Sequence, residues 1–68
     1  MRLVVNGDHR ELRDGATVAD VVSELPVRRS PGGVAVAVNG EVVSRSRWGT
    51  TALAEGDRVE VLAAIQGG

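Results

Sequence analysis

The chain has 68 residues, a formal net charge of −1 and no cysteine. A chain of this length forms one small domain that buries only about 60% of its unfolded surface. The near-neutral charge argues against a nucleic-acid partner, and the lack of cysteine excludes disulfides and thiolate metal sites. No apolar run approaches membrane-spanning length, so we expect a cytoplasmic domain with no membrane partner.

The first predicted elements are two strands joined by a tight turn. Residues 2–6 alternate as a half-buried strand does, with the odd-numbered side chains on the apolar face. Asn6 begins an Asn-Gly pair that tolerates positive φ and favours a hairpin. The returning strand, residues 9–12, is polar and therefore typical of a sheet edge. His9 is the only histidine, and we interpret it as a solvated strand residue and not as a metal ligand.

A single helix is predicted next. Thr17 is a suitable N-cap, and Asp20, three residues later, completes a capping box. Pro26 ends the helix at Leu25 or earlier. The residues at helical spacing, which define one apolar face, are Val18, Val21, Val22 and Leu25.

The second half of the chain predicts three more strands. Residues 34–38 and 41–43 flank Asn39–Gly40, the strongest short hairpin signal in the chain. Leu53 is expected to fill the core between this hairpin and the last strand. That strand, residues 58–65, again alternates with a period of two.

The order of elements indicates an α+β fold. A single helix after a hairpin must cover one face of a mixed sheet. A right-handed connection then places the last strand parallel to the first and beside it. We therefore predict a ubiquitin-like β-grasp of four or five strands in the order 2-1-5-3-4, with one helix on one face. The domain would span residues 1–65, and residues 66–68 would form a flexible tail.

The tail is the candidate site of chemistry. Gly67 and Gly68 lack a Cβ and can pass through a channel too narrow for side chains. A terminal carboxylate is ionised at pH 7 and can act as a nucleophile. Small residues are also common at termini that merely fray. From the residues alone, both interpretations stay open.

About half of the chain resembles the sulfur carrier family of thiamine biosynthesis. The similar residues are Val36–Val43, Arg45, Trp48, Leu53, Gly56–Glu60 and Gln66–Gly68. Ser44 departs from that family, which often has proline there, and Gly49 stands where a larger residue is more usual. The first departure concerns the stiffness of a loop and not the chemistry of the tail.

The resemblance implies a protein substrate, not an enzyme, with no catalytic residue and no bound cofactor or metal. An activating enzyme that uses ATP would adenylate Gly68 and recognise Gln66 and Gly67 in the tail. A persulfide on a donor protein would supply sulfur, because this chain has no cysteine. The resulting thiocarboxylate would pass its sulfur to thiazole synthase.

Two alternatives remain at this point. One is a carrier of the molybdopterin-synthase type, which would share the chemistry but not the acceptor. Those proteins tend to be longer and to carry proline before the tail, where this chain has Ala63 and Ala64. The other is a ubiquitin-like modifier or binding module without sulfur chemistry.

A glycine tail offers only backbone hydrogen bonds, so partners must also recognise the surface of the domain. We expect docking residues near the root of the tail and on the adjacent hairpin. The candidates are Leu62, Ile65, Val42, Val43 and Trp48. Trp48 lies in residues 44–51, where we expect a short turn or a single helical turn. Its ring is interpreted either as packing at the rim of the core or as an interface anchor.

Overall fold

A computed structural model describes residues 1–26 and 33–63. Residues 27–32, the end of the last predicted strand and the predicted flexible tail lie outside these ranges. The elements, in chain order, are β1 (Arg2–Val5), β2 (Asp8–Glu11), α1 (Val18–Ser23), β3 (Val34–Val38), β4 (Glu41–Val43), a 3-10 turn (Arg45–Arg47) and β5 (Arg58–Ala63).

The strands form one mixed sheet in the order β2-β1-β5-β3-β4. β1 and β5 run parallel, whereas β1 with β2, β3 with β4 and β3 with β5 run antiparallel. This is the predicted β-grasp topology. The last strand is therefore central and has a neighbour on each side, so its position is determined by both halves of the sheet.

α1 ends within the predicted limit of Leu25. Its start is as expected, because the Thr17 side chain accepts from the Asp20 N–H and the Asp20 carboxylate accepts from the Thr17 N–H. Its last residue is Ser23, with Glu24 as the C-cap. The N–H of Leu25 still donates to the carbonyl of Val22 at 3.1 Å. The chain thus tightens to three-residue spacing before the proline, a common way to close a helix.

The core lies between α1 and one face of the sheet and is almost entirely aliphatic. Leu53 is buried, as predicted. The buried set comprises Leu3, Val5, Leu12, Ala16, Val18, Val21, Val22, Val36, Trp48, Leu53, Val59 and Val61. In residues 1–26 and 33–63 no polar or charged residue is buried. No helix of these two ranges is long and apolar enough to cross a membrane.

Candidate functional site

The chain reaches the candidate tail through the central strand. β5 alternates between the core, where Val59 and Val61 are buried, and the opposite face of the sheet. Ala63, its last residue, still pairs with Val34 of β3. Four of the predicted site residues, Ile65, Gln66, Gly67 and Gly68, lie beyond it and outside the described residues. The structure therefore describes the base from which the tail begins.

An asparagine holds the start of β5 on the side of β3. Asn39 has the positive φ of 50° that the predicted Asn-Gly turn requires. Its side-chain oxygen accepts from the N–H of Arg58 at 3.0 Å. Its own N–H donates to the Arg58 carbonyl at 2.7 Å, and its Nδ2 donates to Asp57 Oδ1 at 3.0 Å. The hairpin is thus bonded to the beginning of the strand.

A second asparagine holds β5 on the side of β1, closer to the tail. Asn6 also has a φ of 50°. The N–H of Val61 donates to Asn6 Oδ1 at 2.8 Å, and Asn6 Nδ2 donates to the Val61 carbonyl at 3.2 Å. The sequence predicted both turns but not these side-chain bonds. The one sequence signal for these bonds was the choice of asparagine at both turns. Aspartate would tolerate the same turn but has no amide donor.

The face of the sheet opposite α1 carries an exposed apolar surface. Val42 is 80% exposed and Leu62 is 66% exposed. Two small residues separate them, because Ala35 pairs with Leu62 and Ala37 pairs with Val42. We call these four residues the apolar patch. The patch includes Leu62, which lies next to the end of β5, so the positions of Leu62 and Val42 suit the predicted docking surface.

Val43 does not belong to this surface, contrary to the prediction. It pairs with Val36, which is buried in the core. It packs, partly buried, against the core cluster. Successive side chains of a strand point to opposite faces. Val42 and Val43 therefore cannot share the face that carries the apolar patch.

Trp48 also lies in the core and not on the docking surface. Its side chain is 9% exposed, and its indole Nε1 donates to the Val43 carbonyl at 3.0 Å. The guanidinium carbon of Arg45 lies 5.6 Å from the ring centroid. The structure supports the interpretation that the ring packs at the rim of the core, because so little of the ring remains for a partner to contact.

Among the ionisable groups of the described residues, the pKa of Asp20 is shifted and no metal-binding cluster is formed. No three His, Asp or Glu side chains in ranges 1–26 and 33–63 are grouped so as to hold a metal ion. The pKa of Asp20 is lowered, chiefly because its carboxylate accepts from the Thr17 N–H; desolvation opposes this shift, and the Arg13 guanidinium assists it. That shift belongs to the helix cap, far from the tail in sequence.

An open groove lies at the other end of β5. Its volume is about 790 Å³, and its lining includes Val4, His9, Asn39 and Arg58. His9 is exposed, on the edge strand β2, as predicted for a solvated residue. Because β5 runs from Arg58 toward Ala63, this groove is at the end of the strand away from the tail.

Comparison with known proteins relates the whole chain to carriers with this fold. The model of the ThiS family matches residues 3–68. The sulfur carrier protein ThiS of Escherichia coli is 28% identical over 68 residues, which cover 100% of both chains. The crystal structure of the thiamine biosynthesis protein ThiS of Geobacter metallireducens superposes with a TM-score of 0.79 at 34% identity, covering 100% of each chain.

A longer relative is also similar. The thiazole synthase of Paramagnetospirillum magneticum is 38% identical over 68 residues, covering 100% of this chain but 20% of that protein. The chain thus spans about one fifth of the length of this relative. The remaining four fifths of that protein lie outside the match.

Proposed function

The chain belongs to the ThiS family, and from this membership we propose that it is a sulfur carrier for the formation of the thiazole of thiamine. One observation carries the proposal. The family match continues through residue 68 and so includes both glycines of the tail as well as the folded domain. The reactive group of the carrier is the carboxylate of Gly68.

Activation of this carboxylate needs a partner enzyme that uses ATP. One carboxylate oxygen attacks the α-phosphorus, and pyrophosphate leaves to give an acyl-adenylate. The terminal sulfur of a persulfide on a donor protein then displaces AMP. Reduction of the remaining sulfur–sulfur bond by a thiol, which is itself oxidised to a disulfide, releases the thiocarboxylate. The donor must be a separate protein because this chain has no cysteine, and the use of ATP is why we also propose a cytoplasmic location.

The proposed acceptor is thiazole synthase. In support, a protein of that name from Paramagnetospirillum magneticum contains a segment 38% identical to this chain over 68 residues. The polypeptide that carries that name therefore contains a carrier-like segment. Such a covalent link raises the effective concentration of one unit at the other. We propose that in the present chain the same encounter occurs between separate molecules.

The apolar patch is the proposed docking surface for these partners. An exposed apolar area on a small domain is typical of an interaction site. The alanines at positions 35 and 37 keep the surface low between Val42 and Leu62, so a partner can approach the sheet closely. Leu62 directly precedes Ala63, the last residue of β5. Docking there would bring the base of the tail to the edge of the partner's active site.

The test is reconstitution with purified partners. The chain is incubated with the cognate activating enzyme, ATP, a persulfide donor and a thiol reductant, and its intact mass is measured. The expected product is heavier by one oxygen-to-sulfur exchange, and it should support thiazole formation by thiazole synthase. Unchanged mass would reject sulfur chemistry. A thiocarboxylate that serves only a molybdopterin-forming acceptor would instead identify a carrier of the other type.

A further inference from the structure

Asn6 directly follows the last residue of β1, where the chain turns toward β2. Its N–H donates to the Val59 carbonyl at 2.9 Å, which continues the pairing of β1 with β5. Two residues farther along β5, the N–H and carbonyl of Val61 face the same side, where β1 has no residue left to pair with them. The Asn6 side chain takes that place through bonds of 2.8 Å and 3.2 Å.

The position requires a side chain that pairs with both backbone groups of Val61 and a residue that tolerates a positive φ. Asparagine, with its primary amide, meets both requirements. It carries an acceptor and a donor in one planar group, as a peptide does, so it can pair with both backbone groups of Val61. Asparagine also tolerates the φ of 50° at this turn. Glycine would satisfy the turn but form neither side-chain bond. Aspartate would accept from the Val61 N–H but could not donate to its carbonyl.

Val61 is close to the point where the tail begins. It is the last buried residue of β5, and only Leu62 and Ala63 follow it in the strand. Five residues of fully extended chain reach at most about 18 Å, which bounds the distance from Ala63 to Gly68. The direction in which β5 leaves the domain therefore determines the volume that the carboxylate can sample.

We infer that Asn6 is a positioning residue for the chemistry at Gly68, an inference that rests on the proposed function. By pairing with Val61, it holds the end of β5 on the side of β1, while Leu62 and Ala63 pair with β3 on the other side. Without it, the end of β5 is held on one side only, and the carboxylate is less closely positioned. A smaller fraction of docked complexes then holds the carboxylate against the α-phosphate, where orientation governs the rate.

Asn39 provides a matched control. It occupies an equivalent Asn-Gly turn with the same φ of 50° and likewise accepts from a backbone N–H of β5, that of Arg58, at 3.0 Å. That bond lies at the start of the strand, away from the tail. Glycine at either position leaves a Gly-Gly pair that the turn accepts. The two substitutions thus remove similar bonds at opposite ends of one strand.

The experiment compares Asn6→Gly with Asn39→Gly. The rate of ATP–pyrophosphate exchange by the cognate activating enzyme is measured while the concentration of the carrier is varied. We expect Asn6→Gly to lower kcat about tenfold with KM nearly unchanged, because docking through the apolar patch persists while orientation is lost. Asn39→Gly should lower thermal stability to a similar extent but leave kcat near that of the unmodified chain. Amide hydrogen exchange at Val61 should become faster in Asn6→Gly alone.

The outcomes separate this inference from the proposed function. If the unmodified chain supports no exchange, the proposed function fails and the inference fails with it. If the chain is active but the two variants share one kcat, or if Val61 loses protection while kcat is unchanged, Asn6 is only a structural residue. Should Asn6→Gly not fold, Asn6→Asp replaces it, since this variant keeps the turn and one bond. An unchanged kcat in Asn6→Asp also overturns the inference.

Discussion

The indole Nε1 of Trp48 donates to the main-chain carbonyl of Val43 at 3.0 Å. This bond joins the 3-10 turn to the edge strand β4 and satisfies the one polar group of a ring that is 9% exposed. Arg45 lies against the same ring, 5.6 Å from its centroid. Trp48 therefore supports the hairpin that presents Val42 on the opposite face of the sheet.

Replacement of Trp48 should accordingly affect stability first. We expect Trp48→Ala to lower the free energy of unfolding by about 3 kcal/mol, as large-to-small changes of buried aromatic residues do. Trp48→Phe keeps most of the ring but loses the bond to Val43 and should cost less than Trp48→Ala. Urea denaturation followed by circular dichroism measures both. An unchanged transition in Trp48→Ala, together with weaker partner binding, would instead assign the ring to an interface.

Removal of Gly68 should separate folding from activation. Gly68 lies outside β5, so its deletion should leave the urea midpoint unchanged. The deletion moves the carboxylate back by one residue, and we expect ATP–pyrophosphate exchange with the cognate activating enzyme to be lost. Gly68→Ala is the companion variant, because it keeps the carboxylate in place and adds only a methyl group. Full exchange by the shortened chain would reject the assignment of Gly68.

Charge on the apolar patch should weaken docking without unfolding the domain. Leu62 is 66% exposed, so Leu62→Asp should alter stability by only about 0.5 kcal/mol. Burying that charge against a partner is costly, and we expect at least a tenfold loss of affinity, about 1.4 kcal/mol. Titration calorimetry with the activating enzyme and with thiazole synthase measures the loss.

The matched control for Leu62→Asp is His9→Asp. His9 pairs with Val4 in the register of β1 and β2, so it lies on the same face of the sheet but outside the patch. The His9→Asp variant introduces the same charge as Leu62→Asp, but on the exposed edge strand β2. Equal effects of the two variants would show that net charge, and not the patch, controls binding. Loss of folding in Leu62→Asp would make Leu62 a core residue.

The helix cap should give the domain a defined response to acid. The pKa of Asp20 in the folded protein lies below its ordinary value of 3.8, mainly through the bond from the Thr17 N–H. A lowered pKa means that this contribution is present above pH 3.8 and is lost as the pH falls through the folded pKa.

Asp20→Asn tests this response. The variant should be less stable than the unmodified chain at neutral pH, and the difference between their urea midpoints should shrink as the pH falls below 3.8. Asp8→Asn, on the exposed strand β2, is the control for the removal of a carboxylate outside the helix cap. A constant difference across the pH range would mean that the carboxylate charge of Asp20 contributes nothing to the cap.

Much of the fold could be predicted from the sequence because it depends on neighbouring residues. The alternation of apolar side chains placed Leu3 and Val5 in the core. The Asn-Gly pairs predicted turns whose positive φ values the structure contains. Thr17 and Asp20 predicted the helix start, since a capping box spans only four residues. The strand order followed from a single helix and a right-handed connection, and the structure confirms it.

The tertiary structure alone decided how the exit of β5 is held and which side chains face a partner. Asn6 and Val61 are 55 positions apart, and no local pattern indicates that the side chain of one pairs with the backbone of the other. The register of β3 with β4 placed Val42 outward and Val43 inward. The fold also buried Trp48 and brought its indole Nε1 to the Val43 carbonyl. Contacts between distant residues form only when the sheet is assembled, so they are not determined by the local periods and turn propensities that a sequence displays.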